Sequence, residues 1–203
     1  MSDVVRTVEA LELLYGAPSQ RSLTKEIDFV SDEYKALIEA SPFVVIASVG
    51  PEGLDCSPRG DPPGFVSVVD AKTLLLPDRR GNNRIDTLKN LVRDPRVSLL
   101  FMIPGVGETL RVNGTAEIVV EPALLARFAM GGKEPRSVLR IAVERVYFQC
   151  QKALVRSKLW SEESRVALAS LPSAGDMLSA LDQAFDGGAY DAGYPAHMKK
   201  TIY

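Results

Sequence analysis

The stretch "RVSLLFMIPGVGETLRVNGTAEIVVE", Arg96–Glu121, decides the fold. It holds two runs rich in β-branched and apolar residues, joined by Pro104-Gly105-Val106-Gly107. Neither run has the 3.6-residue period of a helix, and the Pro/Gly joint is a reversal of direction, so two strands of a hairpin are predicted. The same pattern extends in both directions. Upstream lie "FVVIASV" (43–49) closed by the turn "GPEG", then "GFVSVVD" (64–70) and "TLLLP" (73–77); downstream lies "SVLRIAVERVYFQC" (137–150). Short strands separated by turns predict an antiparallel sheet that closes on itself, which removes exposed edges.

Helices are expected around this sheet. Val4, Val8, Leu11 and Tyr15 fall at helical spacing before Gly16 and Pro18. "SDEYKALIEAS" predicts a second helix with Ser31 as N-cap, ended by Ser41-Pro42. A short helix is expected at 84–92, with Ile85, Leu88, Leu91 and Val92 on one face and Asp86, Lys89, Asn90 and Arg93 on the other. "EPALLARFAM", "SEESRVALASLP" and "SAGDMLSALDQAF" also read as helices, before a Gly/Tyr-rich tail. The class predicted is mainly β with peripheral α: N-terminal helices in 1–41, a barrel core in 42–160 and a C-terminal helical segment with tail in 161–203, as a single domain. In 203 residues, 46% are apolar and 25% charged, which is ordinary globular composition. No h-region opens the chain and no apolar run approaches the ~18 residues of a membrane span, so a soluble, cytoplasmic protein is expected.

The chemistry the chain lacks narrows its function. Its one histidine, His197, lies close to the tail's end, and Cys56 and Cys150 match no metal or redox spacing. There is no phosphate loop and no Gly-x-Gly-x-x-Gly turn. With so little acid–base or nucleophilic equipment, catalysis would have to borrow its reactive group from a cofactor. Within Pro77–Arg96, six Lys/Arg face three Asp, a local charge of +3 in a chain of net −2. "PDRRGNNR" joins a strand to a helix start, where free backbone N–H groups and the dipole's positive end favour an anion. Gly81 permits close approach, and Asn82 and Asn83 can cap the helix. A solvated basic turn is the plain alternative. Further cations stand at Arg59 in "DCSPRGDPPGFV", read as a loop with Ser57 and Gly60, at Arg111 with Asn113, and at Lys152, Arg156 and Lys158 before Trp160. Arg111 could instead pair with Glu108 or Glu117, and Trp160 could be a packing anchor. The slightly acidic balance argues against nucleic acid as partner.

Taken in order, "SPRGDPPGFV", "PDRRGNNR", "DPRVSLLF", "PGVGETLRVNG" and "KALVRSKLW" resemble the pyridoxamine 5′-phosphate oxidase-like flavoproteins, and more narrowly their FMN-binding branch of unassigned activity. The likeness runs from "LLYGAPS" to Trp160, and the closing Tyr203 suits it. It implies a split β-barrel and a homodimer with two FMN at the interface. It further implies an FMN-dependent oxidoreductase acting on a small molecule, with a nicotinamide as possible donor. Carried over by position, Ser57, Pro58 and Arg59 lie next to the flavin. Asp78, Arg79, Gly81, Asn82, Asn83 and Arg84 form the phosphate and ribityl turn. Arg111 and Asn113 approach the ring's polar edge, and Lys152, Arg156, Ser157 and Trp160 approach across the dimer. A cation at that edge, Arg111 or Arg59, would favour the reduced, anionic ring. The Arg-x-x-x-x-Lys run and the basic, His-bearing substrate motif of the true oxidases are missing, which puts the vitamin substrate in doubt. A flavin-binding protein without turnover, or a barrel that takes deazaflavin F420 or haem, are the other readings.

Overall fold

The computed structural model describes residues 4–203, and its frame is a seven-stranded antiparallel sheet in the order β2-β1-β5-β6-β7-β4-β3. The strands are β1 (Phe43–Gly50), β2 (Gly53–Gly60), β3 (Ser67–Asp70), β4 (Thr73–Asp78), β5 (Arg96–Met102), β6 (Thr109–Val119) and β7 (Ser137–Gln149). The predicted hairpin is β5–β6, in register from Arg96 opposite Thr115 to Phe101 opposite Leu110. Alternate residues of its strands point inward: Val97, Leu99 and Phe101 meet Leu110, Val112 and Ala116 in the core, with Val44, Ile46, Leu74, Leu76, Leu139 and Ile141. This two-residue alternation is what a half-buried strand requires. The long sheet curls so that β2 and the β4–β3 hairpin, its two ends, approach each other without pairing backbone to backbone, which makes the barrel a split one.

Curling needs local relief. The β6–β7 register shifts at Asn113/Gly114, and a Cβ on Gly114 would come within 1.9 Å of the Ala142 carbonyl oxygen. Only a residue without a side chain fits this bulge, which increases the local twist of the strand pair.

Several expectations change. Residues 53–60, read as a turn and a loop, form β2. It is an edge strand paired only with β1, so Pro58 removes no ladder bond on its open side. The first helix, α1, runs Val8–Tyr15 and has no buried residue, so its apolar spacing meets no core here; residues 1–3 lie outside the described ones. The short α2 (Gln20–Thr24) follows, capped by Ser19. Ser31 caps α3 (Asp32–Ala40) as expected, accepting from Tyr34 N–H at 3.3 Å. Helix α4 spans Asp86–Arg93, and its buried residues are Thr87, Asn90 and Leu91, while Ile85 and Val92 are exposed. The helix is turned from its apolar face because Asn90 donates from Nδ2 to Ser48 Oγ at 3.2 Å, which satisfies a polar group in the core. Helix α5 is Pro122–Arg127, and α6 is Lys152–Ser157.

The segment 161–172 holds two 3-10 turns, Glu162–Ser164 and Leu168–Ser170, where a helix was expected. The supposed tail is helix α8 (Gly187–Thr201), packed on α7 (Ala174–Leu181) despite Pro195 within it. Gly175 and Gly187 make that packing: a Cβ on Gly175 would lie 2.3 Å from the Gly187 carbonyl oxygen. Among the described residues no helix is long and apolar enough to cross a membrane.

Gly114→Ala is expected to destabilise the fold by about 3 kcal/mol, because backbone on the partner strand must move. Urea unfolding checks this, with a lower midpoint and an unchanged slope.

Candidate functional site

Where the two ends of the curled sheet meet there is a cleft of about 850 Å³. Its walls come from β2, the end of β4, the turn 79–85, the start of α4 and the start of β7. Along β2, Asp55, Ser57 and Arg59 share one face by the two-residue period, and that face looks onto α4. Thr87, in the first turn of α4, donates its hydroxyl to Asp55 Oδ2, and Ser57 Oγ donates to the same oxygen at 3.1 Å. Arg59 Nη2 reaches Thr87 Oγ1 at 3.4 Å, and its Nη1 donates to the Pro58 carbonyl at 2.8 Å.

Two ion pairs join the barrel's ends across the cleft. Arg59 Nε stands 3.6 Å from Asp78 Oδ1, at the end of β4. Arg79 Nε contacts Asp61 Oδ2 at 2.5 Å, and its Nη1 donates to the Phe128 carbonyl at 2.6 Å. The Asp61 and Arg79 side chains are only 3% and 17% exposed, so Arg79 is largely committed to the wall. The Asp78 carboxyl is raised above its usual range by burial, and Arg59 pulls it the other way. At 3.6 Å the attraction between these two is without a hydrogen bond. Arg59 Nε is accordingly a buried donor with no partner, and Ser137 Oγ, across the strand pair from Asp78, is a second buried polar atom with none. Such atoms are rare in folded proteins and call for a partner.

The start of α4 faces the same space. Ile85, its N-cap, sits in the left-handed region at φ 53 and offers no side-chain cap; Asn83 has φ 61. A β-branched residue in that conformation carries strain of about 1–3 kcal/mol. Asn82 and Asn83 do not cap the helix. Asn82 Oδ1 accepts from Arg84 N–H at 3.1 Å, and Asn83 Oδ1 accepts from Arg136 at 3.5 Å. The first-turn N–H groups of α4 are thereby left toward the cleft. Five arginines line it (Arg59, Arg79, Arg80, Arg84, Arg136) against four aspartates (Asp55, Asp61, Asp78, Asp86). Arg84 pairs with Asp86 at 2.8 Å, whereas Arg80 and Arg136 have no ion pair among the described residues. The excess charge is positive and sits beside the helix start.

All nine site residues expected from the two basic stretches, Ser57 to Arg59 and Asp78 to Arg84, line this one cleft. The other six do not. Arg111 donates to Tyr147 Oη at 2.9 Å on the outer side of β6 and pairs with neither Glu108 nor Glu117, while Asn113 accepts from Ser98 Oγ at 2.8 Å. Lys152, Arg156 and Ser157 lie on exposed α6, and Trp160 Nε1 donates to the Val106 carbonyl at 2.8 Å. Sequence reasoning passed over Thr87, Arg136 and Ser137, and noted Tyr203 only as suiting the family likeness. Arg136 and Ser137 reach the cleft only through the pairing of β7 with β4, and no local pattern marks them.

The family model described as "Pyridoxamine 5′-phosphate oxidase" matches residues 30–150. HupZ of Group A Streptococcus is similar at 25% identity and TM-score 0.48, over 60% of this chain and 94% of its own. A Clostridium acetobutylicum protein related to general stress protein 26 (pyridoxinephosphate oxidase family) is 18% identical with TM-score 0.44, over 58% of this chain and 86% of that one. An FAD-binding protein of Mesorhizobium loti is 17% identical with TM-score 0.43, over 57% and 89%. No curated protein matches the chain.

A carboxyl raised on folding binds its proton more readily in the native state. Its charged form therefore costs stability, which falls as pH rises from 3.8 through the folded pKa. Asp78→Asn is expected to flatten that portion of the stability–pH curve, measured as urea midpoints; a curve parallel to that of the wild type would contradict it.

Proposed function

The chain belongs to the pyridoxamine 5′-phosphate oxidase family, whose model matches more than half of it, and on that premise we propose that the cleft binds FMN and serves an oxidoreductase acting on a small organic molecule. The observation that carries this reading is the pair of buried atoms, Arg59 Nε and Ser137 Oγ, left without partners in a cationic cleft. The donor set fits the group. A doubly charged phosphate suits the α4 start with Arg80, Arg84 and Arg136, since helix N–H groups and guanidinium forks are the usual phosphate ligands. A volume of about 850 Å³ lies within the range of cofactor sites.

When bound, FMN supplies the electron-transfer chemistry that the side chains lack. Arg80, Arg84 and Arg136 anchor the phosphate and supply affinity. Arg59 is held between Asp78 and Thr87 in one wall, and Ser137 stands in the other; a small shift of either side chain on binding would give its unpartnered atom a hydrogen bond. Asp55 fixes the Ser57 and Thr87 hydroxyls, so that side of the cleft is ordered before the ligand arrives. Pre-ordering of this kind lowers the entropy lost on binding.

A second copy completes the site in this reading. Leu13, Leu14 and Tyr15 of α1, Leu54 of β2, and Leu168 are large apolar side chains left in solvent, in the manner of an uncovered interface. Association would let Arg111, Asn113, Lys152, Arg156, Ser157 and Trp160 of one copy approach the flavin of the other. Arg111, already ordered by Tyr147, is then the cation that favours the reduced ring.

Purified protein is expected to take up riboflavin 5′-phosphate and to prefer it to riboflavin. Arg136→Ala and Arg84→Ala should weaken the phosphate form at least about tenfold and leave riboflavin affinity unchanged, the scale of one lost charge-assisted bond. Fluorescence titration reads both, and equal affinity for the two ligands in wild-type protein would refute the phosphate site. Anaerobic bleaching of the flavin by NADH or NADPH tests the oxidoreductase. Light scattering tests the dimer.

A further inference from the structure

Barrel and α4 do not bound the cleft alone, for Ile202 and Tyr203 line it too. They arrive on α8, beyond the residues 30–150 that the family model covers. The α7–α8 hairpin that delivers them is internally braced. The Asp191 carboxylate accepts from Gly175 N–H at 2.9 Å and from the Ser173 hydroxyl, and Ser179 Oγ donates to the Phe185 carbonyl at 3.0 Å. At the cleft, Lys133 Nζ donates to the Tyr203 main-chain oxygen at 2.6 Å and lies 3.5 Å from that of Lys200. The Tyr203 ring centroid is 5.8 Å from Arg79 Cζ.

These contacts differ in kind. The base, Asp61 with Arg79, is a nearly buried ion pair that also closes the cleft wall, so it is rigid. The tether, through exposed Lys133 and one ring–guanidinium contact, is open to solvent and therefore individually weak. A residue seated on a fixed platform by weak, exposed contacts rests in one place and leaves it readily.

We propose that residues 202–203 are a clasp on the ligand cleft: Tyr203 swings off the Asp61–Arg79 pair to admit a mononucleotide and reseats to retain it. The identity of the ligand rests on the flavin reading above; the docking of the clasp does not. Reseating adds a wall after binding, so its effect falls on dissociation, and association changes little. Tyr203→Phe keeps the ring over Arg79 and preserves most of the retention.

Two measurements decide it. Amide hydrogen exchange at 198–203 is expected to be slowed in free wild-type protein and faster in Lys133→Met and Tyr203→Ala. Exchange at the same rate in all three would overturn the clasp, whatever the cleft binds. Stopped-flow release of riboflavin 5′-phosphate is expected to be about tenfold faster in Tyr203→Ala and Lys133→Met than in wild type, and within about twofold of wild type in Tyr203→Phe. Unchanged release in both of the first two variants would overturn retention even if exchange shows the docking. If wild-type protein takes up no riboflavin 5′-phosphate, the flavin reading fails by itself, and the exchange result still decides the clasp.

Discussion

Two ion pairs, Arg59 with Asp78 and Arg79 with Asp61, hold the two ends of one curled sheet opposite each other, and the cleft lies where side chains rather than backbone make the join. Strand β2 ends at Gly60 and is followed by Asp61 and paired prolines, and the far end of the sheet is the short β3–β4 hairpin. Neither end continues the ladder, so side chains bridge what backbone does not. The Arg59–Asp78 bridge is half-buried and expensive. Desolvation raises Asp78 in spite of its arginine neighbour, and the separation of 3.6 Å leaves Arg59 Nε without a hydrogen bond. Replacing one member of such a pair usually costs more than the pair contributes, because the other charge stays buried.

That unfinished contact makes the site reactive to a ligand. The second pair, Asp61 with Arg79, is complete: short, nearly buried, and backed by the Phe128 carbonyl. One pair is wall and the other is receptor. Between them α4 begins with a strained Ile85 and an uncapped first turn, beside Arg80 and Arg136, which have no ion pair among the described residues. In the proposed reading, the shortfall in hydrogen bonding, the exposed helix start and the surplus positive charge are met together by a mononucleotide with a terminal phosphate. This is why the flavin reading is preferred to a solvated basic turn.

How much of this was legible in the sequence depends on the range of the forces involved. The β5–β6 hairpin and the core alternation of β6 were readable because period and turn chemistry are local. Gly81-Asn82-Asn83 between a strand and a helix marked the turn before α4 for the same reason. Strand β2 was not readable, since Pro58 argues against a central strand and only its edge position permits it. The rotation of α4 was missed because it answers to Ser48, distant in sequence, through Asn90. Helix α8 has no apolar face to announce it and is defined by its contact with α7 through Gly175 and Gly187. Arg136 and Ser137 entered the cleft through strand pairing alone.

The most direct measurement is a crystal structure of the protein with riboflavin 5′-phosphate. The phosphate should lie at the start of α4 within reach of Arg84 and Arg136, and Arg59 Nε and Ser137 Oγ should each gain a hydrogen-bond partner from the ligand or from water that it orders. Electron density for the flavin on another face of the barrel would contradict this. So would a filled cleft in which both atoms remain unpartnered.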